Sequence, residues 1–281
     1  PKVVVSLSKE EFTYNGKTQK PTVIVKDTAG KVFKEGTDYT VIYPNASINA
    51  DLYEISVEMI NSKYDVSSNL YYDINEKPIN KSAVKLSKTT VSYGEMPTVS
   101  ITGLKKNKDF ECDIWYWGMG SRTITVYGIG NYTGSVDVTF KVIPAKISGL
   151  KISKTTSSSI KLSWKSDSYC ATDYYQIYDI AKGKIIATVD SYTTSYTVKK
   201  LKAGKKYSFK VRGYSKENGE KYYGEWKTIE TSTLPKSTTL SSVKSEKKKA
   251  LTVKWKKQSA ATGYQVQYST NSKFKKSASK T

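Results

Sequence analysis

The residues best suited to chemistry or binding lie in one short stretch, DFECDIWYWG at residues 109–118. Side chains alternate between the two faces of a β-strand. One face of this strand carries side chains that suit a protein core: Phe110, Cys112, Ile114 and Tyr116. The other face carries two carboxylates beside two tryptophans: Glu111, Asp113, Trp115 and Trp117. We expect this second face to meet solvent, and its residues are the candidate site.

A pair of carboxylates can support glycoside hydrolysis without a histidine. The chain has no histidine at all, which excludes Ser-His-Asp and Cys-His catalysis and removes the commonest ligand of zinc and copper. Phosphate-binding glycine loops, dinucleotide-binding glycine motifs, calcium loops and CxxC pairs are missing from the sequence too. Glu111 and Asp113 are adjacent on an open face without a cleft, so we interpret them as solvated charges. The sequence predicts no enzyme, no cofactor and no metal site.

Three interpretations of Trp115 and Trp117 stay open. The two rings cover the junction with a neighbouring domain, form a binding face for a partner protein or glycan, or fold back onto loops of their own domain. The second interpretation draws on the enrichment of tryptophan where binding energy concentrates. The side chains that would donate or accept hydrogen bonds beside the rings are those of Glu111, Asp113 and Arg122. Two glycines would let the hairpin turn tightly and a ligand approach closely: Gly118 and Gly120.

Composition favours an all-β protein. Tyrosine is abundant (23 residues), proline is sparse (7 residues), and long apolar stripes of helical period are missing. At 281 residues the chain has room for several small domains, and without a run of apolar residues long enough to cross a bilayer it is expected to have no membrane span. For the two cysteines, Cys112 and Cys170, we expect two small buried thiols rather than a disulfide.

The first half of the chain repeats itself. The segment from Leu7 (LSKEEFTYNGKTQKPTVIV) recurs from Leu86 (LSKTTVSYGEMPTVSI), and two later pieces recur in the same order, GTDYTVIY as NKDFECDIWYW and EMINSKY as YGIGNYTG. The repetition predicts two units of roughly 70 residues, each with about seven short strands. Pro78 and the polar residues of NEKPINKS, at 75–82, indicate the join between them.

The two units resemble the bacterial Ig-like repeats of secreted and wall-attached proteins of Gram-positive bacteria. The matching pieces are YNGKTQKPTVIVKDTAGKVFKEGTDYTVIY in the first unit and GIGNYTGSVDVTFKVI in the second. In that family the strand after the DY pair continues into a polar, Asn-rich hairpin, which the first unit keeps as YPNASINADLY. The second unit departs from the pattern with WYWGMGSRTI, which is shorter and aromatic.

A different signature begins near residue 147, with SSSIKLSWK, DYYQIYDI, LKAGKKYSFKVRGYS and YYGEWKTIETSTLP in that order. It resembles a fibronectin type III domain. The resemblance implies that Trp164 packs in the core and that Tyr207, the last residue of L-x-x-G-x-x-Y, forms a tyrosine corner. A second copy begins at LTVKWKKQSAATGYQVQYST and ends before a counterpart of Tyr207, so we expect the parent chain to continue. The resemblance gives four residues a framework role and no binding role: Trp164, Tyr207, Trp226 and Trp255.

These patterns together predict an all-β protein of tandem Ig-like and fibronectin type III β-sandwiches. The expected domains are an Ig-like repeat at 1–78, a second at 79–145, a fibronectin type III domain at 146–235, and the N-terminal part of another at 236–281.

The net charge of +21 is unevenly distributed. It amounts to −2 over residues 1–78, +3 over 79–145, +9 over 146–235 and +11 over 236–281. Only two of the 46 basic residues are arginines, and sequence-specific nucleic-acid readers depend on arginine, so no specific nucleic-acid partner is expected. The lysines either keep a secreted protein soluble or attract an anionic cell-wall polymer. The candidate polymer contacts lie in the densest stretch: Lys247, Lys248, Lys249, Lys254, Lys256 and Lys257.

The sequence therefore predicts a non-catalytic, extracellular segment of a secreted or cell-wall-attached bacterial surface protein. Such a segment extends and displays modules for adhesion to a host protein, a glycan or a wall polymer. Two alternatives remain: an accessory stalk of an extracellular hydrolase whose catalytic domain lies outside this chain, and a carbohydrate-binding module that uses the face of Trp115 and Trp117.

Overall fold

The computed structural model describes residues 2–66, 69–114, 118–166, 171–274 and 279–280. Within these ranges the chain forms 26 β-strands and one 3-10 helix, Lys81–Ala83, so the predicted all-β fold is confirmed. No helix in the described part of the chain is long and apolar enough to cross a membrane. The chain divides into two compact units, one of residues 1–91, 96–117 and 121–141, the other of residues 92–95, 118–120 and 142–281.

The first repeat forms two small sheets. Its strands are β1 (Val3–Leu7), β2 (Glu11–Thr13), β3 (Val23–Asp27), β4 (Tyr39–Ile42), β5 (Asp51–Met59) and β6 (Leu70–Asn75). Strand β1 pairs with β3, and the other four form a sheet in the order β2-β6-β5-β4. In β5, Ile55 and Val57 are buried while Glu54 and Ser56 are exposed, because alternate side chains point to opposite faces. The buried residues of both sheets meet in one apolar core.

The second repeat has the same sheet order. Its strands are β8 (Val84–Leu86), β9 (Thr90–Ser92), β10 (Val99–Ile101), β11 (Phe110–Ile114), β12 (Gly120–Gly128), β13 (Tyr132–Thr133) and β14 (Ser135–Ile143). Strand β8 pairs with β10, as β1 does with β3, and the order β9-β14-β12-β11 matches β2-β6-β5-β4. One connecting strand, β7 (Lys77–Pro78), pairs in parallel with β13. Over its expected range of 1–78, which includes β7, the first repeat has seven strands in its described part, as the second repeat has.

Corresponding hydrogen bonds recur in the two repeats. The carboxylate of Asp38 accepts the backbone N–H of Lys34, and that of Asp109 accepts the backbone N–H of Lys105, both at 2.8 Å. The two aspartates belong to the turns that precede β4 and β11, at equivalent positions in the repeated sequence. The repetition read from the sequence is therefore a repetition of local structure.

Residues 151–232 form a sandwich of two sheets. The strands are β15 (Lys151–Thr155), β16 (Ile160–Ser163), β17 (Tyr174–Asp179), β18 (Lys184–Asp190), β19 (Ser195–Val198), β20 (Lys206–Glu217), β21 (Glu220–Tyr223) and β22 (Lys227–Ser232). One sheet has the order β15-β16-β19, and the other has the order β18-β17-β20-β21, with β22 also paired to β20. Between them lies a core that includes Leu162, Ile177 and Phe209, all fully buried.

The last part of the chain consists of short hairpins. Its strands are β23 (Leu240–Lys247), β24 (Ala250–Trp255), β25 (Tyr268–Ser269) and β26 (Ser279–Lys280). Trp255 is half-buried, and its ring lies 5.4 Å from that of Tyr264. Leu240 and Leu251, in the β23–β24 pair, are 65% and 59% exposed.

Candidate binding surfaces

Glu111 and Asp113 lie on one face of β11, as the alternation predicts, opposite Tyr127 and Thr125 of β12. The Tyr127 hydroxyl donates a hydrogen bond to Glu111 at 3.0 Å. That bond raises the pKa of Tyr127, because the neutral hydroxyl is the donor. Asp113 is exposed. Trp115 and Trp117 lie outside the described residues, so the three interpretations of the tryptophans stay predictions.

Arg122 has the opposite parity to the two carboxylates in the β11–β12 pair. In β12 it has the same parity as the fully buried Ile124 and Val126, so it belongs to the core-facing side of the sheet. Its guanidinium donates a hydrogen bond from Nη1 to the carbonyl of Ser121 at 3.0 Å. Glu111 and Asp113 belong to the other face of the sheet. The proposed role of Arg122 beside the tryptophan rings stays a prediction.

The two glycines of this hairpin adopt a left-handed backbone conformation, which glycine tolerates without strain. Gly118 and Gly120 have φ values of +89° and +91°, which other residues rarely adopt. A Cβ on Gly118 would lie 2.2 Å from Oε1 of Glu217, and one on Gly120 would lie 2.8 Å from the hydroxyl of Tyr222. The backbone N–H of Met119 donates to Glu217 at 2.5 Å. What approaches these glycines is thus part of the β20–β21 hairpin.

Cys112 is a free, half-buried thiol rather than the fully buried one we expected. Burial raises its pKa, because it disfavours the thiolate. Cys170 lies outside the described residues. In the described ranges, no group of three or more Asp, Glu or Cys residues is placed to hold a metal ion.

The framework residues of the 151–232 sandwich occupy the positions that their resemblance implied. Trp164 is 5% exposed, and its ring packs edge-on against Tyr175 at 5.4 Å. The hydroxyl of Tyr207 accepts the backbone N–H of Lys202 at 2.8 Å. This bond ties strand β20 to the chain five residues upstream, which is the geometry of a tyrosine corner.

One cluster was missed in the sequence. The Arg212 guanidinium lies between two rings, 4.0 Å from the centroid of Tyr223 and 4.3 Å from that of Trp226. Its Nε donates to Oε1 of Gln176 at 3.0 Å. Burial lowers the pKa of Arg212. The cluster covers the outer face of the sheet through cation–π contacts, and Trp226 is part of this outer framework. In the sequence, this cluster was indicated only by two polar residues, Gln176 and Arg212, that alternate with the apolar core residues of β17 and β20.

The six lysines proposed to contact a polymer are all exposed. Lys254 alternates with Val253 and Trp255 along β24, so it lies on the opposite face from those apolar side chains. Lys247, Lys248 and Lys249 form the end of the β23–β24 hairpin, where Lys247 pairs with Ala250. The other three lysines lie at the opposite end of the hairpin, Lys254 opposite Ser242 and Lys256 and Lys257 beyond the end of β24. The six lysines are therefore spread over both ends of the hairpin.

Comparisons with known proteins identify one part of the chain. Residues 145–227 match the fibronectin type III domain family. The chain is also similar to a solved segment of two fibronectin type III domains from chicken tenascin, with 13% identity over 82% of this chain and 98% of that one and a TM-score of 0.30. It is similar to the crystal structure of FN3tt, with 22% identity over 33% and 96% of the two chains and a TM-score of 0.28. A comparison with curated proteins gave no match. Residues 145–227 therefore form a fibronectin type III domain, a module that is typical of extracellular proteins and typically non-catalytic.

Proposed function

We propose that this chain is a non-catalytic segment of a secreted or cell-wall-attached bacterial surface protein, which extends and displays modules and binds an anionic wall polymer. The observation that carries the proposal is the set of six exposed lysines at the two ends of the β23–β24 hairpin, within a region that holds 12 lysines and one acidic residue. A fibronectin type III domain in the same chain supports an extracellular location.

The proposal divides the chain into Ig-like repeats at 1–78 and 79–145, a fibronectin type III domain at 146–235 and a partial one at 236–281. The equal sheet orders of the first two segments support this division. Display by small sandwiches requires no cleft. Glu111 and Asp113 lie on one face of β11, where Asp113 is exposed and Glu111 is half-buried.

A lysine field of this kind binds polyanions through long-range attraction that salt screens. We expect the whole chain to co-sediment with purified wall teichoic acid at about 0.05 M salt and to be released as salt rises toward 0.5 M. A single Lys→Ala change is expected to have little effect, because the attraction is distributed. Replacing all six hairpin lysines by Gln is expected to weaken binding at least tenfold.

A matched control carries six Lys→Gln changes in the first repeat, at exposed positions: Lys2, Lys9, Lys17, Lys26, Lys34 and Lys63. Its net charge equals that of the hairpin variant. Equal loss of binding in both variants, or binding that does not depend on salt, would contradict a polymer contact at the hairpin lysines.

A further inference from the structure

A second basic surface lies on the outer face of the three-stranded sheet of the fibronectin type III domain. It is a shallow cavity of about 530 Å³. Among the described residues its lining includes three lysines, four hydroxyl side chains and no acidic residue: Lys151, Lys161, Lys165, Ser153, Ser163, Thr194 and Ser195, together with Gly149 and Trp164.

Ser163 is the centre of this surface. Lys161 lies two residues before it on β16 and shares the face of its hydroxyl. Lys165 lies two residues after it, beyond the end of the strand, and lines the same cavity. Lys151 and Ser195 are its partners on the neighbouring strands β15 and β19, each about 4.8 Å away in the direction of the backbone hydrogen bonds. Three lysine residues therefore lie around Ser163 in the lining of the same cavity.

Two polar groups at this place are buried without a partner. The hydroxyl of Ser163 and the indole N–H of Trp164 are both shielded from solvent, and neither has a hydrogen-bond partner among the described residues. Buried polar groups in folded proteins are nearly always hydrogen-bonded, so an unpaired one indicates a missing water or ligand. Both groups can donate a hydrogen bond. The lysine side chains above them are long and flexible and can move aside.

The lysines are available for a ligand. None of Lys151, Lys161 and Lys165 forms a salt bridge within the described part of the chain, and all three are exposed. Three uncompensated cations around hydroxyl donors match an anionic oxygen group better than a neutral one, because hydrogen bonds from charged donors are the stronger ones.

We propose that the Lys151–Lys161–Lys165 surface, centred on Ser163, binds one phosphate group of a polyol phosphate. The ammonium groups neutralise the phosphate, the Ser163 hydroxyl donates to it, and the serine and threonine hydroxyls beside it bind the polyol. The identity of the polymer rests on the proposed function, but the site differs from the six lysines of the β23–β24 hairpin.

The test is a titration of the whole chain, labelled with 15N in its tryptophan side chains, with a synthetic glycerol phosphate oligomer. The Trp164 indole resonance is expected to shift on binding. Ser163→Ala keeps the net charge and is expected to weaken binding at least threefold, and Lys161→Gln with Lys165→Gln at least tenfold. Inorganic phosphate is expected to shift the same resonance at higher concentration, and neutral dextran is expected to leave it unchanged.

The matched control is Lys184→Gln with Lys227→Gln, two exposed lysines of the other sheet of the same domain. The control pair is expected to change the affinity by less than twofold. An equal loss in the control pair, or an unchanged affinity and indole shift in Ser163→Ala, would overturn the proposal. If Ser163→Ala fails to fold, the variant Lys161→Gln with Lys165→Gln tests the proposal instead, because both lysine side chains are exposed and their replacement is expected to leave the fold intact. The variant with Gln in place of the six hairpin lysines is expected to bind the oligomer at the Ser163 surface with unchanged affinity. The experiment therefore distinguishes failure of this proposal from failure of the hairpin contact.

Discussion

Single polar side chains fix the corners of the sandwiches. Tyr39 donates its hydroxyl to the carbonyl of Val23 at 2.9 Å inside the first core, and Tyr207 accepts the N–H of Lys202 in the fibronectin type III domain. Each bond joins a strand to a segment that its own sheet does not hold. A chain with 23 tyrosines can thus place apolar rings in small cores while their hydroxyl groups satisfy backbone groups at the edge.

Tyr207→Phe tests the tyrosine corner. The change removes the acceptor of the Lys202 N–H and keeps the ring, so the domain is expected to lose about 1 kcal/mol of its free energy of unfolding. Urea denaturation of the variant measures this loss of unfolding free energy. Tyr192→Phe is the control, because Tyr192 is 94% exposed and its change is expected to be within about 0.5 kcal/mol of zero. Equal stability of both variants would argue against the corner.

Glu230 links stability to pH. The ammonium of Lys206 lies 2.7 Å from its carboxylate and the Ser208 hydroxyl donates to it at 2.9 Å, and these bonds hold the pKa of Glu230 below its ordinary value. The folded state therefore releases this proton more easily than the unfolded state. The stabilisation is present above the unfolded pKa and disappears as pH falls through the lowered folded pKa.

Glu230→Gln is accordingly expected to reduce the stability of the domain slightly at pH 7 and to flatten its decline in acid. The expected change in stability is small, because the Lys206–Glu230 ion pair is exposed to solvent. Thermal melts from pH 7 to about pH 3 cover the range of carboxyl titration. Glu220→Gln, another exposed glutamate of the same domain, is the control. If the melting temperatures of both variants depended on pH in the same way, a specific role of Glu230 would be contradicted.

At the scale of elements, the β11–β12 hairpin distinguishes the second repeat from the first. Both repeats build the same four-stranded sheet, but the hairpin of the first carries a polar sequence and that of the second carries aromatic residues and two glycines. Gly118 and Gly120 face Glu217 and Tyr222 of the β20–β21 hairpin. The glycines are needed both for the positive φ and for this close approach.

Gly120→Ala separates these two requirements. The backbone alone costs about 1–2 kcal/mol at a positive φ, and the new methyl group would in addition collide with the ring of Tyr222. Gly30→Ala is the matched control, because Gly30 has a φ of +88° and open space around its Cβ position. Thermal unfolding is expected to show the larger loss for Gly120→Ala. Equal losses would mean that Tyr222 moves aside freely.

Trp115→Ala with Trp117→Ala tests the role of the two tryptophans. As a ligand platform, the pair is expected to reduce binding in a glycan and host-protein array by about 2 kcal/mol or more and to leave the melting temperature almost unchanged. Rings buried in their own repeat would instead lower the stability by roughly 3–5 kcal/mol. A large loss of stability without any array signal would end the platform hypothesis. Ile124→Ala, in the core of the same sheet, is the control for a simple core defect.

At the scale of the whole molecule, separate cores and a graded charge define the chain. The first repeat and the fibronectin type III domain each have an apolar cluster made only of their own residues. Strands β2, β4, β5 and β6 contain no lysine or arginine, whereas residues 236–281 carry a net charge of +11. Attraction for a polyanion is therefore expected to increase along the chain toward its C-terminal part.

Two core substitutions test the independence of these clusters. Ile55→Ala in the first repeat and Leu162→Ala in the fibronectin type III domain each empty a fully buried site and are expected to cost about 2–5 kcal/mol. Hydrogen exchange followed by mass spectrometry is expected to show faster exchange only in the unit that carries the change. Faster exchange throughout the chain after either substitution would mean that the cores unfold together.

Features that are local along one strand were determined by the sequence. The burial of Phe110 and the exposure of Asp113 follow from a period of two, and the repeated turns at Asp38 and Asp109 follow from repeated sequence. The framework roles of Trp164 and Tyr207 were available through the family signature, since the same residues fill the same core and corner. These predictions needed no knowledge of which strands become neighbours.

Strand register was decided only by the tertiary structure. The face of the sheet on which Arg122 lies depends on the register of β12 against β11, and one residue of shift reverses every side chain of a strand. The surface around Ser163 also depends on register. The segment KLSWK contains Lys161 and Lys165, but Lys151 and Ser195 become neighbours of Ser163 only because β16 pairs with β15 and β19. Alternation is a property of one strand, whereas a binding surface on a sheet requires the relative alignment of several, and distant parts of the chain set that alignment.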